Sequence, residues 1–154
     1  MLIRHATQTD QAEWLRMRSA LWPACPLEDH HSEMQAQLAD HLRYAVFIIE
    51  RASGQLGGFL EASLRAYADG CRTSPVGYIE GWYVDADLRR QGWGGELVTA
   101  AEQWASAQGC TEMASDCELD NDISFCAHLA LGYAEVDRAI QFRKSLVVSG
   151  NVSS

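Results

Sequence analysis

Two groups of residues in this chain of 154 have the types and spacing to do chemistry. The first is the run Arg89-Arg90-Gln91-Gly92-Trp93-Gly94-Gly95. It follows a strand-like stretch, Val76 to Val84, and opens a segment in which Leu97, Val98, Ala101, Trp104 and Ala105 recur at helical spacing. Strand, glycine loop and helix together make a cradle for a phosphate. Without side chains at Gly92 and Gly94 the backbone approaches an anion closely, and the free N–H groups of the helix start point at it. A nucleotide P-loop is excluded because no Gly-Lys-Ser/Thr follows, and the dinucleotide fingerprint fails because Leu97 stands where its third glycine belongs.

The second group is acidic. Glu80 sits between Ile79 and Gly81 inside the Val76–Val84 strand, and an unpaired buried carboxylate costs several kcal/mol, so the expectation is that it faces a cleft. Asp116 ends the run Met113-Ala114-Ser115 of a later strand. If the two strands are neighbours, the carboxylates meet and can bind an ammonium group and take its proton, directly or through water. Asp116 reads equally as a turn or cap residue before Glu118-Leu119-Asp120-Asn121. Asp137, after the Gly132-Tyr133 turn, adds a third negative group or is a solvated residue beside Arg138. Tyr67 and Trp22 are loop aromatics that can floor a sugar site or belong to the peripheral core.

The elements that must position these residues follow in order. Leu2 to Arg4 is an opening strand, and Thr9 or Asp10 caps a helix carrying Trp14, Leu15, Met17, Arg18 and Leu21. Trp22-Pro23 ends it. Glu28 to Leu42 reads as an acidic helix with Met34, Leu38 and Leu42 on one side. Tyr44 to Arg51 and Leu56 to Leu64 form a hairpin, and Arg65 to Pro75 a loop. After the central strand and helix, Gly109 is a helix stop, Thr111 to Cys117 a strand, Asn121 to Ala130 a short helix, and Ala134 to Lys144 a final strand or strand pair. This order, β-α-α-β-β-β-α-β-α-β-β, predicts an α+β domain with a mixed sheet and helices on both faces. It spans residues 1–146, with 147–154 expected as a disordered tail.

Composition narrows the function. A net charge of −9 argues against a nucleic-acid partner, which needs a basic footprint, and favours a cationic substrate. No apolar run approaches a membrane span, and no signal-peptide core follows Met1-Leu2-Ile3-Arg4, so a cytoplasmic location with no membrane partner is expected. The five cysteines are scattered, with no zinc-module spacing, which predicts buried thiols and no metal.

Arg89-x-x-Gly92-x-Gly94 after a strand resembles the R/Q-x-x-G-x-G/A signature of the GNAT superfamily of N-acetyltransferases, and the element order is similar across nearly the whole chain. The resemblance implies a mostly antiparallel sheet whose fourth and fifth strands splay apart where acetyl-CoA enters. Gly81 fits a bulge that starts the splay, or is a packing glycine. Asn121 matches the position of a cofactor-contacting asparagine, which is also an ordinary N-cap position. Four residues before the Gly-Tyr turn, where many members carry a tyrosine proposed to protonate the thiolate, this chain has His128, which can donate a proton or serve structurally.

A narrower resemblance, to aminoglycoside 6′-N-acetyltransferases of chromosomal type, is carried by several motifs. They are Leu21-Trp22-Pro23, Asp69-Gly70-Cys71, Ser74-Pro75-Val76, Glu80-Gly81, Glu112-Met113-Ala114-Ser115-Asp116, Ala130-Leu131-Gly132-Tyr133 and Arg143-Lys144. It departs from the pattern at Cys25, where relatives often have histidine, and at Trp93, bulkier than usual in the loop. The resemblance implies acetyl-CoA held by Trp82, Tyr83, Val84, Arg89, Arg90, Gln91, Gly92, Trp93, Gly94, Gly95 and Asn121. It further implies an aminoglycoside held by Trp22, Tyr67, Glu80, Asp116 and Asp137, with Asp116, Glu80 and His128 as the catalytic set, and a homodimer. Two alternatives stand beside it: a GNAT enzyme for another small amine or a peptide N-terminus, and a non-catalytic acyl-CoA-binding regulator.

Overall fold

Near-continuous apolar runs, buried on both faces, form the central strands of the computed structural model, which describes residues 1–147. Its strands are β1 (Leu2–His5), β2 (Tyr44–Glu50), β3 (Leu56–Arg65), β4 (Val76–Val84) and β5 (Met113–Ser115), in spatial order β1-β2-β3-β4-β5. The first four pair antiparallel, and β5 joins β4 in parallel. Both faces of β2 are buried. Val46 and Ile48 point to one side, where Trp14 and Met17 of α1 (Gln11–Leu21) and Met34 of α2 (Leu27–Ala39) pack with Leu56 and Phe59. Ala45, Phe47 and Ile49 point to the other, against Leu97, Val98 and Ala101 of α3 (Trp93–Ala107). Burial of each such large apolar side chain contributes about 1.5–3 kcal/mol. A last helix, α4 (Asp122–Ala130), follows β5.

A polar network lies inside the α1/α2 layer. Arg18 is 0% and Glu61 3% exposed, and two oxygens of Glu61 accept from Arg18 Nη1 at 2.7 and 2.6 Å. Trp14 Nε1 and Gln37 Nε2 donate to the same carboxylate, each at 2.9 Å. Burial raises the pKa of the Glu61 carboxyl, and the Arg18 charge with the Gln37 and Trp14 hydrogen bonds opposes that shift. Arg18 also donates from Nε to His30 Nδ1 at 3.0 Å and sits 4.8 Å from the Trp22 ring centre.

Several sequence expectations are corrected. Helix α2 stops at Ala39, not Leu42, because the Asp40 carboxylate accepts from the N–H groups of Leu42 and Arg43, both at 3.2 Å, in a turn that leaves Leu42 exposed. Asp10 stands at the N-cap of α1, but its side chain makes no capping hydrogen bond to that helix. Its carboxylate instead accepts from Arg4 at 2.8 and 2.9 Å and from Thr7 N–H at 2.7 Å, and the Arg4 hydrogen bonds hold its pKa below the usual carboxylate range. Strand β3 continues to Arg65, which pairs with Val76, so Arg65 is not a loop residue, while β5 is confined to Met113–Ser115.

The last correction concerns the C-terminal segment. No strand forms over 134–147, although Val136, Ile140 and Phe142 fall on alternate positions. Alternation supplies a strand face but not a pairing, and an unpaired strand is not stable in water. Ile140 and Phe142 stand 75% and 92% exposed. The expected tail falls mainly on 148–154, outside the described residues. Among the described residues no helix is long and apolar enough to cross a membrane, and no group of His, Cys, Asp and Glu is arranged to hold a metal.

Candidate active site

The site grows out of a break in strand pairing. Beta-4 and β5 pair only at Gly77↔Met113, Tyr78↔Ala114 and Ile79↔Ser115, after which β4 runs on to Val84 without β5. The strands part at Glu80. There the register with β3 also slips: Glu61 pairs with Gly81 and Ala62 with Ile79, so Glu80 is the extra residue of a bulge. Gly81 has its own steric reason, since a Cβ there would lie 2.4 Å from Cη2 of Trp22. Trp22 thus lies on the β4 backbone at the bulge, edge-on to Phe59 with ring centres 6.1 Å apart.

The bulge turns Glu80 toward a cavity of about 560 Å³ lined by Arg43, Tyr44, Ser63, Arg65 and Glu80, among others. The carboxylate is engaged there. Ser63 Oγ donates to Oε1 at 2.6 Å, and Arg65 donates from Nε to Oε1 at 2.9 Å and from Nη2 to Oε2 at 2.7 Å. Across the strand break, the Tyr78 hydroxyl donates to Asp116. Burial and the Asp116 charge push the Tyr78 phenol well above its usual pKa, so it stays a donor. Tyr78 lines up with Ala114 in the β4–β5 ladder, which brings Asp116 to the same end of the sheet as Glu80.

His128 is held at the point of divergence. Its Nδ1 lies 2.7 Å from the Ser124 carbonyl, which only accepts, so that nitrogen carries the proton. Nε2 lies 2.7 Å from Ser115 Oγ, and in the neutral tautomer it accepts the serine proton. The ring stands edge-on to Trp82 of β4 at 5.4 Å and to Tyr133 at 5.8 Å. Asn121 is the N-cap of α4, with its side-chain oxygen accepting from Ser124 N at 3.0 Å.

The glycine loop has the geometry of an anion cradle, for reasons that differ between its glycines. Arg90 and Gly92 both adopt left-handed backbone, φ 63° and 89°, so Gly92 is favoured by conformation; a Cβ on it would meet nothing within 4 Å. Gly94 is favoured by packing, because a Cβ there would lie 3.1 Å from Trp82 Cζ2. Glu96 N donates to Gly92 O at 3.1 Å, and the N–H groups before it at the start of α3 have no carbonyl within that helix to bond. Arg89 is tied to the end of β4, its Nε donating to Val84 O at 2.8 Å. Among the described residues, the Trp82 indole nitrogen is buried without a partner beside this loop. Exposed N–H groups at a helix start, with Arg89 and Arg90 adjacent, suit a pyrophosphate.

Tyr67 is 69% exposed and donates its hydroxyl to Asp69 at 2.9 Å. Asp137 lies close enough for its charge to help raise the Tyr67 pKa, behind the Asp69 hydrogen bond, and neighbouring Val136 packs where a Cβ on Gly70 would stand. The structure therefore groups Glu80 with Ser63 and Arg65, Asp116 with Tyr78, and Tyr67 with Asp69 and Asp137. Ser63, Arg65 and Tyr78 were missed in the sequence. Their signal is alternation in the hairpin: Ser63 pairs with Tyr78 and Arg65 lies two residues on, hence on the same face of β3.

A splayed β4–β5 pair with a glycine cradle leading into α3 is the acyl-CoA architecture implied by the sequence. The chain belongs to the GNAT acetyltransferase family, whose model matches residues 14–133. Within it, the chain is similar to proteins named aminoglycoside N(6′)-acetyltransferase type 1. That of Klebsiella aerogenes is 46% identical over 147 residues, 94% of this chain and 97% of its own length, and that of Serratia marcescens 42% over 134 residues, 86% and 91%. Among solved structures, AAC(6′)-Iy in complex with a bisubstrate analog, CoA-S-monomethyl-acetylneamine, superposes with a TM-score of 0.87. It is 37% identical, over 94% of this chain and 97% of that one.

Proposed function

We propose that this protein is an acetyl-CoA-dependent aminoglycoside 6′-N-acetyltransferase acting in the cytoplasm. The observation that carries the reading is the strand break at Glu80, with the anion cradle on one side and the Glu80 and Asp116 carboxylates on the other. The names of the relatives support the same substrate class. Trp82 to Val84, Arg89 to Gly95 and Asn121 would hold the acetyl donor. Trp22, Tyr67, Glu80, Asp116 and Asp137 would hold the aminoglycoside, whose several ammonium groups suit an acidic protein.

The chemistry is direct transfer. The neutral 6′-amine attacks the thioester carbonyl, the C–N bond forms and the C–S bond breaks with its electron pair leaving on sulfur. Asp116, or Glu80 through water, takes the proton lost by nitrogen. His128, when protonated, would return a proton to the thiolate. A backbone N–H near Val84 polarises the carbonyl.

Thiol release with acetyl-CoA and paired acceptors tests the reading. An aminoglycoside with a 6′-amine should turn over at least about a hundredfold faster than its 6′-hydroxyl counterpart, because the hydroxyl is the poorer nucleophile and lacks the charge that the carboxylates orient. Equal turnover of both, or a product mapped by NMR to another amine, refutes the 6′ assignment. Turnover only with polyamines or peptides selects another GNAT activity, and no turnover at all selects the regulator.

We also infer a homodimer. The segment carrying Ile140 and Phe142, 75% and 92% exposed, pairs with no strand among the described residues, and exposed apolar patches mark interaction surfaces. Sedimentation equilibrium should give twice the chain mass at micromolar concentration, and a monomer there removes the inference.

A further inference from the structure

Resting on the aminoglycoside reading, we propose that Arg65 is a specificity-determining residue, a built-in cation that competes with the acceptor's ammonium group for Glu80. The guanidinium forks onto both oxygens of Glu80, at 2.9 and 2.7 Å. Its carbon lies 3.5 Å from the centre of the Tyr78 ring. Tyr78 in turn donates to Asp116. One guanidinium therefore holds Glu80 directly and covers the ring whose hydroxyl reaches Asp116, near enough to Asp116 for that charge to stabilise it as well. An acceptor ammonium bound by the same pair of carboxylates belongs in that space.

The strand does not need Arg65 to aim Glu80. The bulge sets the direction of the side chain, and Ser63 Oγ holds Oε1 at 2.6 Å. What Arg65 adds is charge. The pair is open to solvent, with Arg65 43% and Glu80 32% exposed. Exposed ion pairs are weak, and stacking on an aromatic face adds a comparable increment, so a polycationic acceptor can displace the guanidinium at a modest cost in affinity. Arg65 is the last residue of β3 and lines the cavity together with Arg43, Ser63 and Glu80.

The test is steady-state kinetics with acetyl-CoA and one aminoglycoside bearing a 6′-amine. Arg65→Met keeps the aliphatic stem and removes the charge; it should lower KM for the aminoglycoside by roughly fivefold, with kcat within about twofold and KM for acetyl-CoA unchanged. Arg65→Lys keeps a cation and should stay near the starting KM. In a Glu80→Gln background, Arg65→Met should no longer lower KM, because the competition is for that carboxylate. A raised or unchanged KM in folded Arg65→Met, or the same fall with and without Glu80, overturns the proposal while leaving the aminoglycoside activity standing. Absence of aminoglycoside turnover in the unaltered protein overturns both.

Discussion

Asp116→Asn is expected to lower kcat on an aminoglycoside by about a hundredfold or more, the usual contribution of positioned proton transfer. The substitution is close to isosteric. An asparagine carbonyl oxygen can still accept the Tyr78 hydroxyl that now reaches Asp116, so the geometry at the end of β5 is kept while the base is lost. The comparison is Asp137→Asn. Asp137 is exposed and lies with Tyr67 and Asp69 rather than at the strand break. Its loss should raise the aminoglycoside KM by about fivefold or less with kcat almost unchanged, the signature of binding shared equally by ground and transition states. A fully active Asp116→Asn enzyme removes Asp116 from the mechanism and leaves Glu80, through water, as the base.

Arg18→Met should destabilise the fold by about 3–5 kcal/mol, because it strands the Glu61 carboxylate in a site that is 3% exposed. That is a large share of the about 5–15 kcal/mol that holds a typical domain together. Hydrophobic packing is not the cause, since methionine nearly fills the volume. Trp14 and Gln37 would remain as donors to Glu61, but neither carries the compensating charge. The companion Arg18→Met with Glu61→Leu should recover most of the loss, since replacing both members of a buried pair with apolar groups is often neutral. Urea denaturation at neutral pH reads both variants. A loss below about 1 kcal/mol for Arg18→Met alone would show that the carboxylate finds water or a proton instead. The same substitution removes the guanidinium from the face of Trp22, the ring that lies on Gly81.

Much of this was written locally in the chain. The glycine loop, the helix after it and the strand before it lie within one continuous stretch, so backbone preference and side-chain period sufficed to place the cradle between β4 and α3. The order of elements through α4 and the placing of helices on both faces followed from the same periodicities. Boundaries were less legible, as at Leu42, where a side-chain carboxylate outcompetes the helix.

Tertiary structure alone decided the partners. Glu80 meets Arg65 because a bulge slips the β3–β4 register by one residue, and Asp116 meets Tyr78 across 38 residues of chain because β5 returns parallel to β4 and stops after Ser115. Arg18 and Glu61 are 43 residues apart, and nothing in either neighbourhood marks them as a buried pair. Alternation over 134–144 reads as a strand from sequence, yet a strand also requires a partner that pairs with it, and that is a property of the assembled sheet. Local conformation depends on a few neighbouring residues, which the sequence states outright; ion pairs, registers and sheet edges depend on which distant segments the core brings together.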